Sequence, residues 1–194
     1  MLFYVCLIFI IDVLSPNVDG AVQDFVWRDY IPGDIPCDAI PGAPGRYIGQ
    51  VNYEGNMVAT IFQYNNIAVT EMGGRVNITH NIKILCSQLP HKMYWEWVDF
   101  NKAPGQQMKN AIKGGFQEQP SFDLYVGRIM QEGEWKISKV VDMNHQDKGI
   151  WVWTDNGGSA RYYQFELLKA NYTSAVSCYN WNFDTRSHKS SSSL

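Results

Sequence analysis

Charge is scarce in this sequence: only 18% of its 194 residues are Asp, Glu, Lys or Arg. The 16 basic side chains are outnumbered by 19 acidic ones, a net charge of −3, so the basic footprint of a nucleic-acid binder is missing. No apolar run approaches the 18 or so residues of a spanning helix, and none of ten residues or more carries a 3.6-residue apolar stripe. His80, His91, His145 and His188 are scattered, with no H-x-x-x-H and no C-x-x-C, so no metal site is expected. Few serines lie outside the C-terminal tail and none sits in a G-x-S-x-G elbow. No Gly-rich loop follows a strand into a helix, and βαβ units are lacking. Glu132 and Glu134 flank Gly133, but adjacent carboxylates in a turn are solvated rather than an acid/base pair. These absences point away from an enzyme, and no cofactor is expected.

What is abundant is aromatic: 14% of the residues, with 7 Trp, 11 Tyr and 9 Phe, in a chain 45% hydrophobic. That composition folds, and the length fits one domain or two small fused ones. Residues 2–11, LFYVCLIFII, form an apolar run that as a helix reaches about 15 Å, half a bilayer core. It reads as a signal-peptide core rather than a membrane span, with cleavage after Gly20; a buried N-terminal element is the other reading. Residues 1–20 are thus assigned to the leader and 21–183 to a single β domain, with a Ser-rich, unstructured tail over 184–194. Export leaves Cys37, Cys86 and Cys178, which permit one bridge in any of three pairings. Asn77-Ile78-Thr79 and Asn171-Tyr172-Thr173 are N-glycosylation acceptors, in keeping with a secreted, extracellular protein.

The chain also repeats itself. Asp38-Ala39-Ile40-Pro41-Gly42 is echoed by Asn110-Ala111-Ile112-Lys113-Gly114, and Arg46-Tyr47-Ile48-Gly49-Gln50-Val51 by Leu124-Tyr125-Val126-Gly127-Arg128-Ile129. Gly55 matches Gly133, Gly73-Gly74 matches Gly157-Gly158, and Ile84-Leu85 matches Leu167-Leu168, always in the same order. Repeat one covers 25–86 and repeat two 95–169. Each unit reads as antiparallel β. Short β-prone runs occur at 47–53, 58–62, 67–70, 124–130, 137–141 and 150–153. Gly-Gly pairs between such runs supply the positive φ of tight hairpins. Gly127, central in its run, marks a bulge or a close backbone contact. Residues 31–45 hold four Pro and three Gly and read as an ordered loop. The expected fold is all-β: two tandem antiparallel repeats about a pseudo-two-fold axis, in a compact sandwich- or prism-like body.

The order DAIPG, YIGQV, EG followed by NAIKGG, LYVGRI, EG, NGG and YYQFELL resembles the DM-nine repeat family, the second copy matching best. The resemblance implies a compact β-fold often found as a homodimer. It also implies mannose-type glycan recognition in innate immunity, as in lectin members; other relatives are natterin-like. The lectin site of the family uses a turn Asp after the AI-x-G motif and the Lys of a Pro-Gly-Lys turn. Carried over, the Lys falls on Lys139 and the Asp position on or near Gln117, while in the first copy the Lys position falls near Ile61.

A glycan site needs directional hydrogen bonds to vicinal hydroxyls and an aromatic face. Lys139 can donate, Gln117 can donate and accept, and Trp135 is placed on the same turn. The plainer reading makes Lys139 a solvated turn residue and packs Trp135 between sheets. Two roles follow. One is a secreted recognition protein for glycans or a microbial surface; the other is an extracellular structural or interaction protein with an extracellular protein partner, of saliva, reproductive fluid or matrix, that keeps the fold without the sugar site.

Overall fold

A computed structural model describes residues 24–64, 67–102 and 106–171. The leader with its cleavage point, Cys178, and the tail from 184 lie outside the described residues. Among the described residues no helix is long and apolar enough to cross a membrane.

The chain is all-β, as the run lengths and Gly-Gly turns predict. The strands in order are β1 (Val26–Asp29), β2 (Pro41–Ala43), β3 (Arg46–Asn52), β4 (Gly55–Phe62), β5 (Ala68–Glu71), β6 (Arg75–Ile78) and β7 (Ile82–Cys86). After a 3-10 turn at Pro90–Lys92 come β8 (Met93–Asp99), β9 (Lys113–Gln117), β10 (Phe122–Gln131), β11 (Glu134–Val141), β12 (Gly149–Trp153), β13 (Ser159–Tyr162) and β14 (Gln164–Ala170). Residues 31–45 are not wholly loop, since Pro41–Ala43 adds a short strand to β3.

The two halves pair their strands in the same order. In the first, β1 pairs β7, β7 pairs β3, β3 pairs β4, β4 pairs β5 and β5 pairs β6. In the second, β8 pairs β14, β14 pairs β10, β10 pairs β11, β11 pairs β12 and β12 pairs β13. Antiparallel pairing of β4 with β9, Gly55 opposite Gln117 and Asn56 opposite Phe116, joins the halves. All fourteen strands of the described residues therefore belong to one antiparallel sheet that does not close into a barrel.

The halves also meet through side chains. Ile48, Val58 and Leu85 of the first pack with Ile112, Val126, Ile137 and Leu168 of the second in one buried cluster. Thr60, fully buried on β4, donates from Oγ1 to Ile137 O at 2.8 Å and accepts from Ile137 N at 2.9 Å. One hydroxyl thus satisfies both backbone groups of a buried strand residue, which no apolar side chain could do. The matched Gly-Gly turns touch each other: a Cβ on Gly74 would sit 2.5 Å from Gly157 O. Gly127 is likewise a contact position, since a Cβ there would lie 2.4 Å from Val140 Cγ2 and 3.1 Å from Ile150 Cδ1. The register irregularity of β10 falls instead between Leu124 and Tyr125.

Candidate functional site

Strand period decides which side chains reach a common space. On β11 the odd-numbered residues Trp135, Ile137, Lys139 and Val141 share one face. Lys139 and Val141 at the strand's C-terminal end line a cleft of about 370 Å³. From the first half, Glu71 at the end of β5 and the following turn residues Met72 and Gly73 form another wall. Gln117 and Phe122, paired where β9 meets β10, form a third, and Asp147, Trp151 and Ser159 close it. Both halves contribute, so the cleft depends on their packing.

Its polar centre is a buried ion pair. Lys139 Nζ lies 3.1 Å from Glu71 Oε2 and also reaches Met72 Sδ at 3.6 Å, with Lys139 only 7% and Glu71 2% exposed. Glu71 Oε1 accepts from Gly73 N at 2.8 Å and from the Ser159 hydroxyl. Lys139 neutralises this deep carboxylate and Oε1 is hydrogen-bonded, whereas Oε2 is buried with no hydrogen-bond donor and meets Lys139 only as an ion pair. Lys139 has three N–H donors and one carboxylate partner, so donor capacity remains. Asp147 has Arg161 Nη1 at 3.7 Å as a counter-charge. The lining is close to electrically neutral.

Lys139 and Gln117 both line this cleft. Gln117 is half-buried and donates from Nε2 to Gln119 O at 3.0 Å, leaving its Oε1 as an acceptor. Lys139 is not on a turn: residues 136–140 lie within β11, and the turn is at Glu132-Gly133, where φ is 53° and 78°. For that reason Trp135 does not join the cleft. It stands four residues before Lys139, about 13 Å along an extended strand, with buried Ile137 between them. Its ring instead lies 4.8 Å from the Arg128 guanidinium, whose other neighbour is the Trp95 ring at 4.3 Å. The aromatic lining of the cleft is Phe122 and Trp151, the latter held by Nε1 donating to Asp147 O at 2.9 Å. Glu71, Trp151 and Ser159 were missed by sequence reasoning because each lies far along the chain from the Lys139 motif. The one local hint is an acidic residue closing the apolar run Ala68-Val69-Thr70 just before a Gly-Gly turn.

Comparison with family models gives a match to the DM9 repeat over residues 42–147, more than half of the chain and including Glu71, Gln117 and Lys139. The chain belongs to the DM9 repeat family. No curated protein matches it.

The remaining expected sites of this DM9 chain fall elsewhere. Asn77 is exposed on β6, with its Oδ1 accepting from Arg75 Nε at 3.3 Å, and Asn171 is exposed just after β14. Cys37 is exposed and Cys86 buried, both as free thiols that are not joined to each other. Burial, reinforced by the nearby Asp38 carboxylate, pushes the Cys86 thiol up to about 11. Arg28 grips Asp38 with two bonds of 2.9 and 2.7 Å and holds its carboxyl below the usual range.

Proposed function

We propose that the protein is an extracellular, non-enzymatic recognition protein that binds a neutral, hydroxyl-rich glycan, of mannose type, in the cleft around Lys139. The observation that carries this reading is the meeting of Lys139 and Gln117 with Trp151 in one cavity of about 370 Å³. The size suits a small ligand, the donor and acceptor set suits vicinal hydroxyls, and an indole wall suits the C–H face of a sugar. Glu71 supports the neutral class: with Lys139 already paired and Asp147 on the rim, an acidic sugar would meet no unpaired cation. Membership of the DM9 family is compatible with lectin-like binding, and the leader-like N-terminus and two sequons support an extracellular site of action.

Retention on a mannose matrix, with elution by free mannose, tests the reading. Wild type should be retained and Lys139→Ala not. Because Lys139→Ala leaves Glu71 buried without its partner, Gln117→Ala serves as the milder variant and should weaken retention without altering the melting temperature. A folded wild-type protein that never binds would end the glycan reading. The interaction role would then gain, with exposed Trp97 on edge strand β8, 63% accessible, as the first contact to examine.

A further inference from the structure

A second cleft, of about 350 Å³, opens in the first half of the sheet between the ends of β1 and β3 and the starts of β4 and β7. Asp29, Gln50, Asn52, Asn56, Asn81 and Lys83 line it over a floor of Val51. Asp29 and Lys83 stand directly opposite each other in the β1–β7 ladder, the spacing at which opposite charges pair across strands. Both are exposed, yet neither forms an ion pair with the other or with any other described residue. Around them stand four carboxamides. Gln50 is nearly buried and oriented by Nε2 donating to Gly114 O at 2.6 Å. Asn52 and Asn56 face each other across the β3–β4 hairpin, at the weak separation of 3.5 Å from Nδ2 to Oδ1. Asn81 holds a left-handed backbone, φ 52°, at the entry to β7.

The second half treats the matching place differently. Counting from the paired glycines Gly49 and Gly127, the cross-strand pair Gln50–Lys83 corresponds to Arg128–Glu166. There Arg128 Nε meets Glu166 Oε2 at 2.6 Å, and the guanidinium is enclosed by Trp95 and Trp135. The second half consumes its charges internally; the first half leaves one of each sign facing an open, amide-rich space.

We propose that this cleft is a binding site for a small zwitterion of the α-amino-acid type, its carboxylate on Lys83, its ammonium on Asp29, and the carboxamides completing the hydrogen bonds. A simple anion would meet Lys83 but be repelled by Asp29, and a simple cation the reverse, whereas a zwitterion satisfies both. A saccharide fits less well, because no aromatic side chain lines the cleft. The site is independent of the glycan cleft.

The test is a two-dimensional 15N–1H NMR titration of the whole protein with glycine, L-serine and L-glutamine. N-acetylglycine, glycine methyl ester and mannose are run beside them. At least one free amino acid should give saturable shifts in the side-chain amides of Gln50, Asn52 and Asn56 and around Asn81. Binding should weaken at least about tenfold with either blocked analogue, as loss of one charge-assisted contact implies. It should also vanish in Lys83→Gln and Asp29→Asn, both at exposed positions where spectral dispersion checks the fold. Absence of saturable shifts at about 50 mM, well above the millimolar range open to so small a ligand, would overturn the proposal. Equal binding of the blocked analogues would overturn it too, and shifts caused by mannose instead would reassign the cleft to a saccharide.

Discussion

Gly127→Val isolates steric closeness from backbone conformation. Gly127 has no positive φ, so a side chain there meets only a space problem. Its Cβ alone would lie 2.4 Å from Val140 Cγ2, 3.1 Å from Ile150 Cδ1 and 3.4 Å from Phe165 Cδ2, all three in the same buried cluster. Val140 pairs with both Tyr125 and Ile150, so the strand that carries it is fixed on both sides and relief must come from side-chain strain. Overpacking of this kind costs about 1–3 kcal/mol, and two added methyls place valine in the upper half of that range. For a chain of this size each kcal/mol lowers Tm by about 2–4 °C, so the expected fall is about 4–12 °C. Thermal unfolding followed by tryptophan fluorescence and near-UV circular dichroism reads it directly. Gly133→Ala is the complementary control: a Cβ there meets nothing within 4 Å, but φ is +78°, so only the backbone cost of about 1 kcal/mol remains. A Gly127→Val melting point within about 2 °C of wild type would refute the close-contact assignment.

Other outcomes follow from the same geometry. Lys136 is fully buried, donating to Glu132 Oε2 at 2.5 Å and Trp153 O at 2.8 Å, so Lys136→Met should destabilise by about 2–4 kcal/mol in urea unfolding. An unchanged denaturation midpoint would remove that role. The hydrogen bond from Lys136 holds the Glu132 carboxyl below its usual range. A carboxyl depressed in the folded state adds stability above its unfolded pKa and loses it as pH falls through the folded value. Acid unfolding of Lys136→Met should therefore begin at higher pH than in wild type, and coincident acid midpoints would contradict the coupling. The Cys86 thiol, raised to about 11 and buried, should resist alkylation in native protein at pH 8 and react after unfolding. Peptide mass mapping finding it labelled in the native state would overturn that.

Much of the fold was legible because strand signals are local. The runs around Ile48, Val58, Ile137 and Ile150 each became a strand, and Gly73, Gly74 and Gly157 took the positive φ their turns required. Strands β1 to β7 and β8 to β14 pair in the same order. Joining the halves through β4 and β9 was not legible, since Asn56 and Phe116 carry no sequence mark of being partners. The site divided in the same way. Lys139 and Gln117 were candidates in the sequence, whereas Glu71 meets Lys139 only through the packing of distant parts of the chain. Trp135 misled because nearness in sequence was taken for nearness in space; an extended strand carries a residue four positions away well out of reach.

The most direct test of glycan recognition is an array screen of the purified protein beside Lys139→Ala. Mannose-rich signal from wild type, lost in the variant while both remain folded, is the predicted result. A blank array from folded wild-type protein, or an equal signal from Lys139→Ala, would contradict the assignment of the Lys139 cleft.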